Sequence, residues 1–378
     1  MQKKLLLGVE AIAQGAIDSG ISGVYAYPGT PSTEITEYIQ CAEETRTRNI
    51  HCQWSANEKT AMETALGMSY AGKRALVCMK HVGMNVAADC FMNAAVTGTN
   101  GGLVIVAADD PSMHSSQNEQ DSRVYGKFAL IPVLEPSNQQ EAYDLVRYGF
   151  ALSETIGSPI LLRITTRLAH SRSGVNTAAP LNENSLKLPE NKRQFVLLPA
   201  IARKRYRLLL DKQADFKEAS ANSPFNRYTE GQDYSLGIIT CGIGHNYLME
   251  NYPDGCPYPT AKICQYPLPR KIIKTILSKC ERILVLEEGY PVIEELLKGY
   301  PGDKRISGRL DGTISRDGEL SPDIVAKALN LPVREGADVP KLVVPRPPAL
   351  CNGCSHRDVY NALNEIIKPY GEGRVFAD

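Results

Sequence analysis

Residues 54–59 read WSANEK and mark the point that decides the fold, a change from strand to helix with a carboxylate at the junction. The helix pattern that follows, residues 58–70, continues with small side chains. Small residues allow a flat ligand or a second subunit to approach a helix backbone closely. Beside such a surface the Glu58 carboxyl loses solvation, which allows proton exchange near neutral pH. The alternative is a first-turn acid that complements the helix dipole.

Short apolar runs alternate with helical patterns on both sides of this junction. The predicted strands are residues 23–26, 50–54, 75–79, 103–107, 132–134 and 160–164, and the predicted helices include residues 58–70, 85–96 and 139–154. This alternation predicts an α/β fold with a parallel sheet covered on both faces. Ligands of such sheets collect at the carboxyl ends of strands. We therefore expect a site in the loops that follow these strands, which carry nearly all the unusual residues.

A second region of alternation follows a stretch, residues 171–234, in which the pattern stops. Its predicted strands are residues 236–240, 261–265, 283–287 and 304–307, and its predicted helices are residues 269–279, 291–297 and 322–329. The basic run at residues 202–207 (ARKRYR) is interpreted as a solvated helix face or connector rather than a nucleic-acid patch. The turn at residues 242–244 lacks the third glycine of a dinucleotide fingerprint.

Length and composition exclude several classes of protein. The 378 residues predict two or three domains. Lys and Arg number 42 and Asp and Glu number 42, so no bulk charge favours nucleic acid or an anionic membrane. The N-terminal apolar run stops at Glu10, and no apolar run is long enough to cross a bilayer. Eight of the ten cysteines are scattered singly, as buried thiols are, and a cytoplasmic protein is predicted.

Four motifs occur in order at close intervals. They are residues 27–32 (YPGTPS), 57–59 (NEK), 79–85 (MKHVGMN) and 109–123 (DDPSMHSSQNEQDSR). Together they resemble the alpha (large) subunits of indolepyruvate:ferredoxin oxidoreductases, a family of thiamine-diphosphate-dependent 2-oxoacid oxidoreductases. The resemblance covers nearly the whole chain except a polar insert around residues 183–233.

The resemblance implies a domain arrangement. It consists of a pyrimidine-binding domain at residues 1–175, a linker at 176–234, a second α/β domain of the transketolase C-terminal type at 235–335, and a connector with the start of a diphosphate-binding domain at 341–378. The chain is expected to be incomplete on its C-terminal side, since that last domain begins and does not finish.

The resemblance also implies roles for individual residues. Glu58 would hold a proton on the aminopyrimidine ring of thiamine. Thr30 matches a threonine that faces the substrate in related 2-oxoacid oxidoreductases. Thr30 has a second interpretation, as the N-cap of a helix predicted at residues 31–39. Arg123 would clamp the substrate carboxylate with a bidentate pair, the alternative being a surface salt bridge.

Further contacts with the cofactor are expected from Tyr27, Pro28, His81 and Asn85. His114 is a possible polar contact there too. Neither histidine has a metal-ligand partner at usable spacing, which argues against zinc.

Metal sites are expected mostly outside this chain. The Gly-Asp-Gly…Asn phrase that binds Mg²⁺ in this class of enzyme is absent, and so are the cysteine runs that hold two [4Fe-4S] clusters in family members. Cys351 and Cys354 resemble a Cys-x-x-Cys that ligates a cluster in related oxidoreductases. A structural turn or remnant is the alternative, because two thiolates cannot complete a four-cysteine site.

The function implied for the intact enzyme is oxidative decarboxylation of aryl pyruvates, such as indolepyruvate, to aryl-acetyl-CoA, with electrons passed to ferredoxin. A smaller beta subunit and a dimer or heterotetramer are expected, and the chain alone is expected to be inactive. Two alternatives remain at this point. One is a chain of a non-oxidative thiamine-dependent 2-oxoacid decarboxylase, and the other is a non-catalytic assembly subunit.

Overall fold

The computed structural model describes residues 2–252, 254–298 and 352–371, together with residues 327, 333, 336, 338, 340–344 and 350. The chain divides into two compact units, Met1–Leu297 and Lys298–Ala377. Several predicted features lie outside the described residues, namely the strand at 304–307, the helix at 322–329 apart from Lys327, and Cys351.

The first part of the chain alternates strands and helices. Its elements are β1 (Gln2–Leu7), α1 (Gly8–Asp18), β2 (Gly23–Ala26), α2 (Thr33–Cys41), α3 (Glu43–Thr47), β3 (His51–Trp54), α4 (Glu58–Tyr70), β4 (Ala75–Lys80), α5 (His81–Thr97), β5 (Leu103–Asp109), α6 (Arg123–Ala129), β6 (Val133–Leu134), α7 (Gln139–Ile156), β7 (Ile160–Thr165), α8 (Thr166–His170) and β8 (Arg172–Thr177). The six strands and three helices predicted in this part are all present, with ends that differ by at most four residues.

The remaining elements follow a short 3-10 turn, Lys192–Phe195. They are α9 (Pro199–Asp211), α10 (Gln213–Ala221), β9 (Arg227–Thr229), β10 (Gly237–Cys241), α11 (Ile243–Asn251), β11 (Thr260–Ile263), β12 (Gln265–Tyr266), α12 (Arg270–Lys279), β13 (Ile283–Leu286), α13 (Val292–Lys298) and, in the second unit, α14 (Ser355–Ile367).

A seven-stranded sheet organises the first part, with strand order β12-β6-β7-β5-β4-β2-β3. All pairs are parallel except β12 with β6. Every residue of β4, β5 and β7 is buried, as expected of central parallel strands covered on both faces. One apolar cluster joins α1, α2 and α7 to one side of the sheet, and another joins α4 and α5 to the other side. The predicted α/β fold with a parallel sheet is confirmed.

The carboxyl ends of the strands meet at one edge of this sheet. Ala26 at the end of β2 pairs with Trp54 at the end of β3, and Asp109 at the end of β5 pairs with Thr165 at the end of β7. The loops that carry the sequence motifs leave from these ends. This arrangement confirms the expectation that they share one edge.

Two regions are more regular than the sequence pattern indicated. The N-terminal apolar run forms β1, which pairs with β8 in a separate two-stranded sheet, and it leads into the buried helix α1. The Leu7 amide donates to Glu10 Oε2 at 2.8 Å, which caps α1. The stretch after residue 171 also contains helices, and Arg205 of the basic run donates to the Thr97 carbonyl at the end of α5. This hydrogen bond fastens the basic run to the end of α5.

The second sheet has the order β13-β10-β11-β9, with β9 antiparallel and the other pairs parallel. The strand predicted at residues 261–265 is divided between two sheets, because β11 belongs to this sheet and β12 to the seven-stranded one. Between them, the amides of Cys264 and Gln265 both donate to Asn226 Oδ1, at 2.8 and 3.0 Å. Where the chain passes from one sheet to the other, the Asn226 side chain thus accepts the backbone hydrogen bonds that a neighbouring strand would otherwise accept.

Within the described ranges, no helix has the length and apolar character that crossing a membrane requires.

Candidate active site

Glu58 is the first residue of α4, directly after the carboxyl end of β3. Asn57 caps the helix, since its Oδ1 accepts a hydrogen bond from the Thr60 amide at 2.9 Å. The Glu58 side chain is half-buried against the start of α5, where a Cβ added to Gly83 would lie 2.6 Å from Glu58 Oε1. Gly83 therefore makes room for the carboxyl group. Among the described residues this carboxylate has no hydrogen-bond or ion-pair partner.

The small side chains of α4 have two different surroundings. Ala61 and Ala65 are buried in the apolar cluster that packs α4 on α5 and the sheet. Thr64 is exposed, and a Cβ on Gly67 would meet no atom within 4 Å. Part of α4 is therefore approached closely by α5 and the sheet of the same chain. The helix surface near Thr64 and Gly67 stays open.

The turn after β2 presents Tyr27, Pro28 and Thr30 at the same edge, all three exposed. The turn is held by its neighbours, because Ser32 Oγ donates to the Gly29 carbonyl at 2.7 Å and the Gly29 amide donates to Thr33 Oγ1 at 2.8 Å. Helix α2 begins at Thr33. The N-cap interpretation of Thr30 is therefore wrong, and its hydroxyl has no partner among the described residues.

His81 and Asn85 lie on the first turns of α5. The His81 ring is fully buried, and its Nε2 lies 3.0 Å from the Asn118 carbonyl. A carbonyl oxygen only accepts, so Nε2 carries the hydrogen. His81 Nδ1 is buried without a partner in the described part of the chain. Asn85 is exposed and accepts a hydrogen bond from the Tyr125 hydroxyl of α6.

Lys80 ends β4 and fastens the loop that follows β5. Its ammonium donates to the Ser115 carbonyl at 2.9 Å and to Ser115 Oγ at 3.1 Å. The same loop is held by Asp110, which accepts from the Ser115 amide at 2.8 Å and from Thr166 Oγ1 at 2.8 Å. Burial opposes ionisation of Asp110, but these and the Ser116 hydroxyl hydrogen bond outweigh it and lower its pKa.

Arg123 is placed differently from the expectation. Its Nε and Nη2 donate to Asp121 at 2.9 and 2.5 Å, and its Nη1 donates to Glu287 Oε2 at 2.9 Å. Nη2 also donates to the Tyr290 carbonyl at 2.9 Å. The side chain is 1% exposed. Both the substrate clamp and the surface salt bridge are contradicted, because the guanidinium is buried and its donors are already engaged.

Arg123 belongs to a buried ion-pair cluster beneath the carboxyl edge. The cluster consists of Asp109, Asp121, Arg123, Glu135, Arg163 and Glu287. Arg163 donates to Asp109 Oδ2 at 2.6 Å and to Glu135 Oε1. Burial raises the pKa of Asp109, since it exceeds the effect of Arg163, whereas Arg163 and Arg123 overcome burial and lower the pKa of Asp121. The cluster joins the ends of β5 and β7 to the segment after β13.

Sequence reasoning missed three residues of this edge. Gly83 and Lys80 lie within the motif at residues 79–85, but the sequence pattern predicts no function for either. Arg163 interrupts an apolar strand, residues 160–165 (ILLRIT), and a charge at a central strand position indicates a buried ion pair. That signal was available in the sequence, whereas its partners were not.

His114 is exposed and borders a cavity of about 250 Å³ with Thr166, Arg167 and Glu288. A larger cavity of about 570 Å³ lies between α11 and β13, and its described lining includes none of the predicted site residues. The predicted site residues therefore do not line this cavity. They form an open edge rather than an enclosed pocket.

Cys354 lies in the second unit, just before α14. Its Sγ lies 3.5 Å from His356 Nδ1. Cys351 falls outside the described residues, so ligation of a cluster by the pair stays a prediction. Over the described ranges, no group of three or more His, Cys, Asp and Glu side chains is arranged to hold a metal ion.

Comparison with known proteins adds named relatives. The chain is 40% identical to the indolepyruvate oxidoreductase subunit IorA of Pyrococcus abyssi, in an alignment that covers 97% of this chain and 60% of that protein. It is 41% identical to the subunit of the same name from Archaeoglobus fulgidus, with coverage of 100% and 63%. The chain thus spans about three-fifths of the length of these relatives.

A solved structure shares the fold. The 2-oxoglutarate:ferredoxin oxidoreductase from Magnetococcus marinus matches with a TM-score of 0.64 and 16% identity over 78% of this chain and 60% of that chain. The family model described as pyruvate flavodoxin/ferredoxin oxidoreductase, thiamine diphosphate-binding, matches residues 14–213. This match contains β2 to β7 and the whole edge built around Glu58. Because it spans more than half of the 378 residues, the chain belongs to the pyruvate flavodoxin/ferredoxin oxidoreductase family of thiamine-diphosphate-binding proteins.

Proposed function

We propose that this chain is the pyrimidine-binding part of an indolepyruvate:ferredoxin oxidoreductase. The enzyme would decarboxylate aryl pyruvates oxidatively to aryl-acetyl-CoA and pass the electrons to ferredoxin. The observation that carries the proposal is the Glu58 carboxyl group, held without a partner at the carboxyl edge of the sheet against Gly83. The relatives named indolepyruvate oxidoreductase subunit IorA support the substrate class.

The residues at this edge fit thiamine diphosphate. A flat aminopyrimidine needs a carboxyl group at one ring nitrogen, and Glu58 offers one that nothing else in the described chain engages. When bound, thiamine diphosphate supplies the carbon nucleophile that attacks the 2-oxo carbon. Glu58 would hold a proton at the ring nitrogen, which is a general acid–base task suited to a carboxyl group.

Other residues at the edge would orient the reactants. The exposed hydroxyl of Thr30 would face the substrate, and Tyr27, Pro28 and His81 would border the cofactor. His81 contributes a fixed ring with an unpartnered Nδ1. Asn85 would contribute its amide nitrogen, because its oxygen accepts from Tyr125.

The remaining parts of the reaction would come from elsewhere. Residues outside this chain would bind Mg²⁺ and the cofactor diphosphate. Most ligands of the [4Fe-4S] clusters would also come from outside this chain. A beta subunit, ferredoxin and coenzyme A would complete the assembly as a dimer or heterotetramer. The four-part division of the chain and the cytoplasmic location stay predictions with this proposal.

The test is anaerobic turnover by the protein that carries this chain, assembled with its beta subunit, thiamine diphosphate, Mg²⁺ and coenzyme A. With indolepyruvate we expect reduction of ferredoxin, followed by absorbance, and formation of indoleacetyl-CoA, identified by mass spectrometry. Release of the free aldehyde without ferredoxin reduction would instead establish a non-oxidative decarboxylase. Failure of every assembly to bind thiamine diphosphate would establish an assembly subunit.

A further inference from the structure

Lys80 is a buried cation whose charge is not balanced by a carboxylate in direct contact. It is 8% exposed, and among the described residues no Asp or Glu oxygen lies within ion-pair distance of its ammonium. Its two hydrogen-bond partners, the carbonyl and hydroxyl oxygens of Ser115, are both neutral. An ammonium group has three donors, so one is left for a further acceptor.

The stem of Lys80 lies beside the proposed active site. Its stem lies against the turn that carries Thr30, since a Cβ on Gly29 would be 3.2 Å from Lys80 Cβ. Three residues further on, Gly83 receives the Glu58 carboxyl group. Lys80 is therefore close in the chain to the glycine that contacts Glu58, and its stem packs beside the glycine that precedes Thr30.

Two other cations of this edge, Arg123 and Arg163, are buried and engaged with carboxylates, whereas Arg167 is exposed to solvent. Arg123 is bound to Asp121 and Glu287, and Arg163 is bound to Asp109 and Glu135. Asp110 is connected to Lys80 only through Ser115, whose amide it accepts at 2.8 Å. A buried charge that lacks a direct counter-ion is unfavourable unless a ligand completes it.

We propose that Lys80 binds the carboxylate of the 2-oxoacid substrate and so takes the role that Arg123 cannot fill. The inference rests on the proposed function, because it assumes a 2-oxoacid at the Glu58 edge. It deepens that function by naming the group that recognises the acid. A charge-assisted hydrogen bond from an ammonium to a carboxylate, formed away from water, makes a strong contribution to affinity.

The experiment is equilibrium binding of indolepyruvate by calorimetry to the assembled enzyme loaded with thiamine diphosphate, without ferredoxin or coenzyme A. All variants, and the reference protein with which they are compared, carry Glu58→Gln in addition, because the cofactor of the active enzyme would react with the 2-oxo carbon during the titration. For Lys80→Met we expect the Kd of indolepyruvate to rise about 100-fold, while the Kd of thiamine diphosphate changes by less than about 3-fold. In Lys80→Ala, added ethylammonium should restore part of the lost affinity, because it replaces the missing charge.

Ser115→Ala is the matched control. It removes one neutral partner of Lys80 but keeps the carbonyl and the charge, so the Kd of indolepyruvate should change by less than about 3-fold. An effect equal to that of Lys80→Met would show that Lys80 only fastens the loop, and would overturn the inference. A rise in the Kd of thiamine diphosphate instead would assign the charge to the cofactor diphosphate and overturn it as well.

The outcomes separate this inference from the proposed function. If the wild type oxidises indolepyruvate and Lys80→Met binds it as well as the reference protein does, only the inference fails. If binding depends on Lys80 but no ferredoxin is reduced, only the oxidative function fails. If the wild type oxidises no 2-oxoacid and the reference protein binds none, both fail.

Discussion

Two groups of charged side chains lie close together at the carboxyl edge of the seven-stranded sheet and have opposite surroundings. In the ion-pair cluster, Arg123 and Arg163 are bound to carboxylates on every side and are almost completely buried. Among the described residues, the Glu58 carboxylate has no partner and the Lys80 ammonium has only neutral ones. Charges that are satisfied within the chain stabilise its structure, whereas charges left unsatisfied are available to a ligand.

The buried ion pairs of Arg123 explain why this arginine is not the substrate clamp. Removing a guanidinium from its buried carboxylates to serve a ligand would leave those carboxylates uncompensated. Arg123 therefore acts on the site only through the structure that it holds, which joins the loop after β5 to the segment after β13.

Glu58→Gln tests the functional side of the comparison and carries the largest expected effect. The amide cannot exchange a proton with the aminopyrimidine, so turnover of the assembled enzyme should fall about 10³- to 10⁴-fold. Thermal unfolding should be nearly unchanged, because the carboxylate has no partner to lose.

Glu63→Gln is the control for that variant. Glu63 lies on the same helix, is half exposed and has a long 3.8 Å contact with Lys59. Its replacement should leave turnover near the wild-type rate. Equal losses in both variants would remove Glu58 from the mechanism.

Arg163→Met tests the structural side. It leaves Asp109 and Glu135 buried without their cation, which should lower the free energy of unfolding by about 3–5 kcal/mol. Chemical denaturation measures this change. Arg172→Met, which removes an exposed arginine 3.7 Å from Glu10, should cost less than about 1 kcal/mol. Similar values for the two variants would contradict the structural role of the cluster.

Gly83→Ala tests whether the position of the Glu58 carboxyl matters as well as its presence. The added methyl group would overlap Glu58 Oε1 and push the flexible side chain aside. Turnover should fall about 100-fold, as expected for a catalytic group displaced by about an ångström, with little change in stability. Gly67→Ala on α4 meets no atom within 4 Å and should keep full turnover. A fully active Gly83→Ala enzyme would contradict this positioning role.

Lys262→Met gives the smallest effect and adds a pH dependence. The pair joins β11 of the second sheet to helix α7, since Lys262 Nζ donates to Glu141 Oε1. Burial opposes ionisation of Glu141, but the charge of Lys262 outweighs it and lowers the pKa of Glu141 below its ordinary value of 4.5. The stabilisation is therefore present above that value and is lost as the pH falls through the lower folded-state pKa.

We expect Lys262→Met to lower the free energy of unfolding by about 1.5–3 kcal/mol at pH 7. The difference from the wild type should shrink as the pH falls below 4.5, the ordinary pKa of the Glu141 carboxyl group. Denaturation curves at several pH values measure it. Lys59→Met, which removes an exposed pair with Asp89, should have no measurable effect on the free energy of unfolding. A pH-independent loss for Lys262→Met would assign its role to packing.

The sequence by itself determined the α/β alternation, the position of Glu58 at the first turn of α4, and the edge at which the motifs meet. These features follow from local periodicity and from caps such as Asn57, which act over a few residues. The family resemblance rests on the same local motifs. It could therefore be recognised without any knowledge of packing.

Only the tertiary structure decided what the charged residues do. One partner of Arg123, Glu287, lies 164 residues away in the chain, and no local sequence pattern predicts that contact. The same holds for the contact of Glu58 with Gly83 and for the neutral partners of Lys80. Whether a buried charge is satisfied depends on side chains that the fold brings together from distant segments, and that satisfaction separates the structural arginines from the residues left for a ligand.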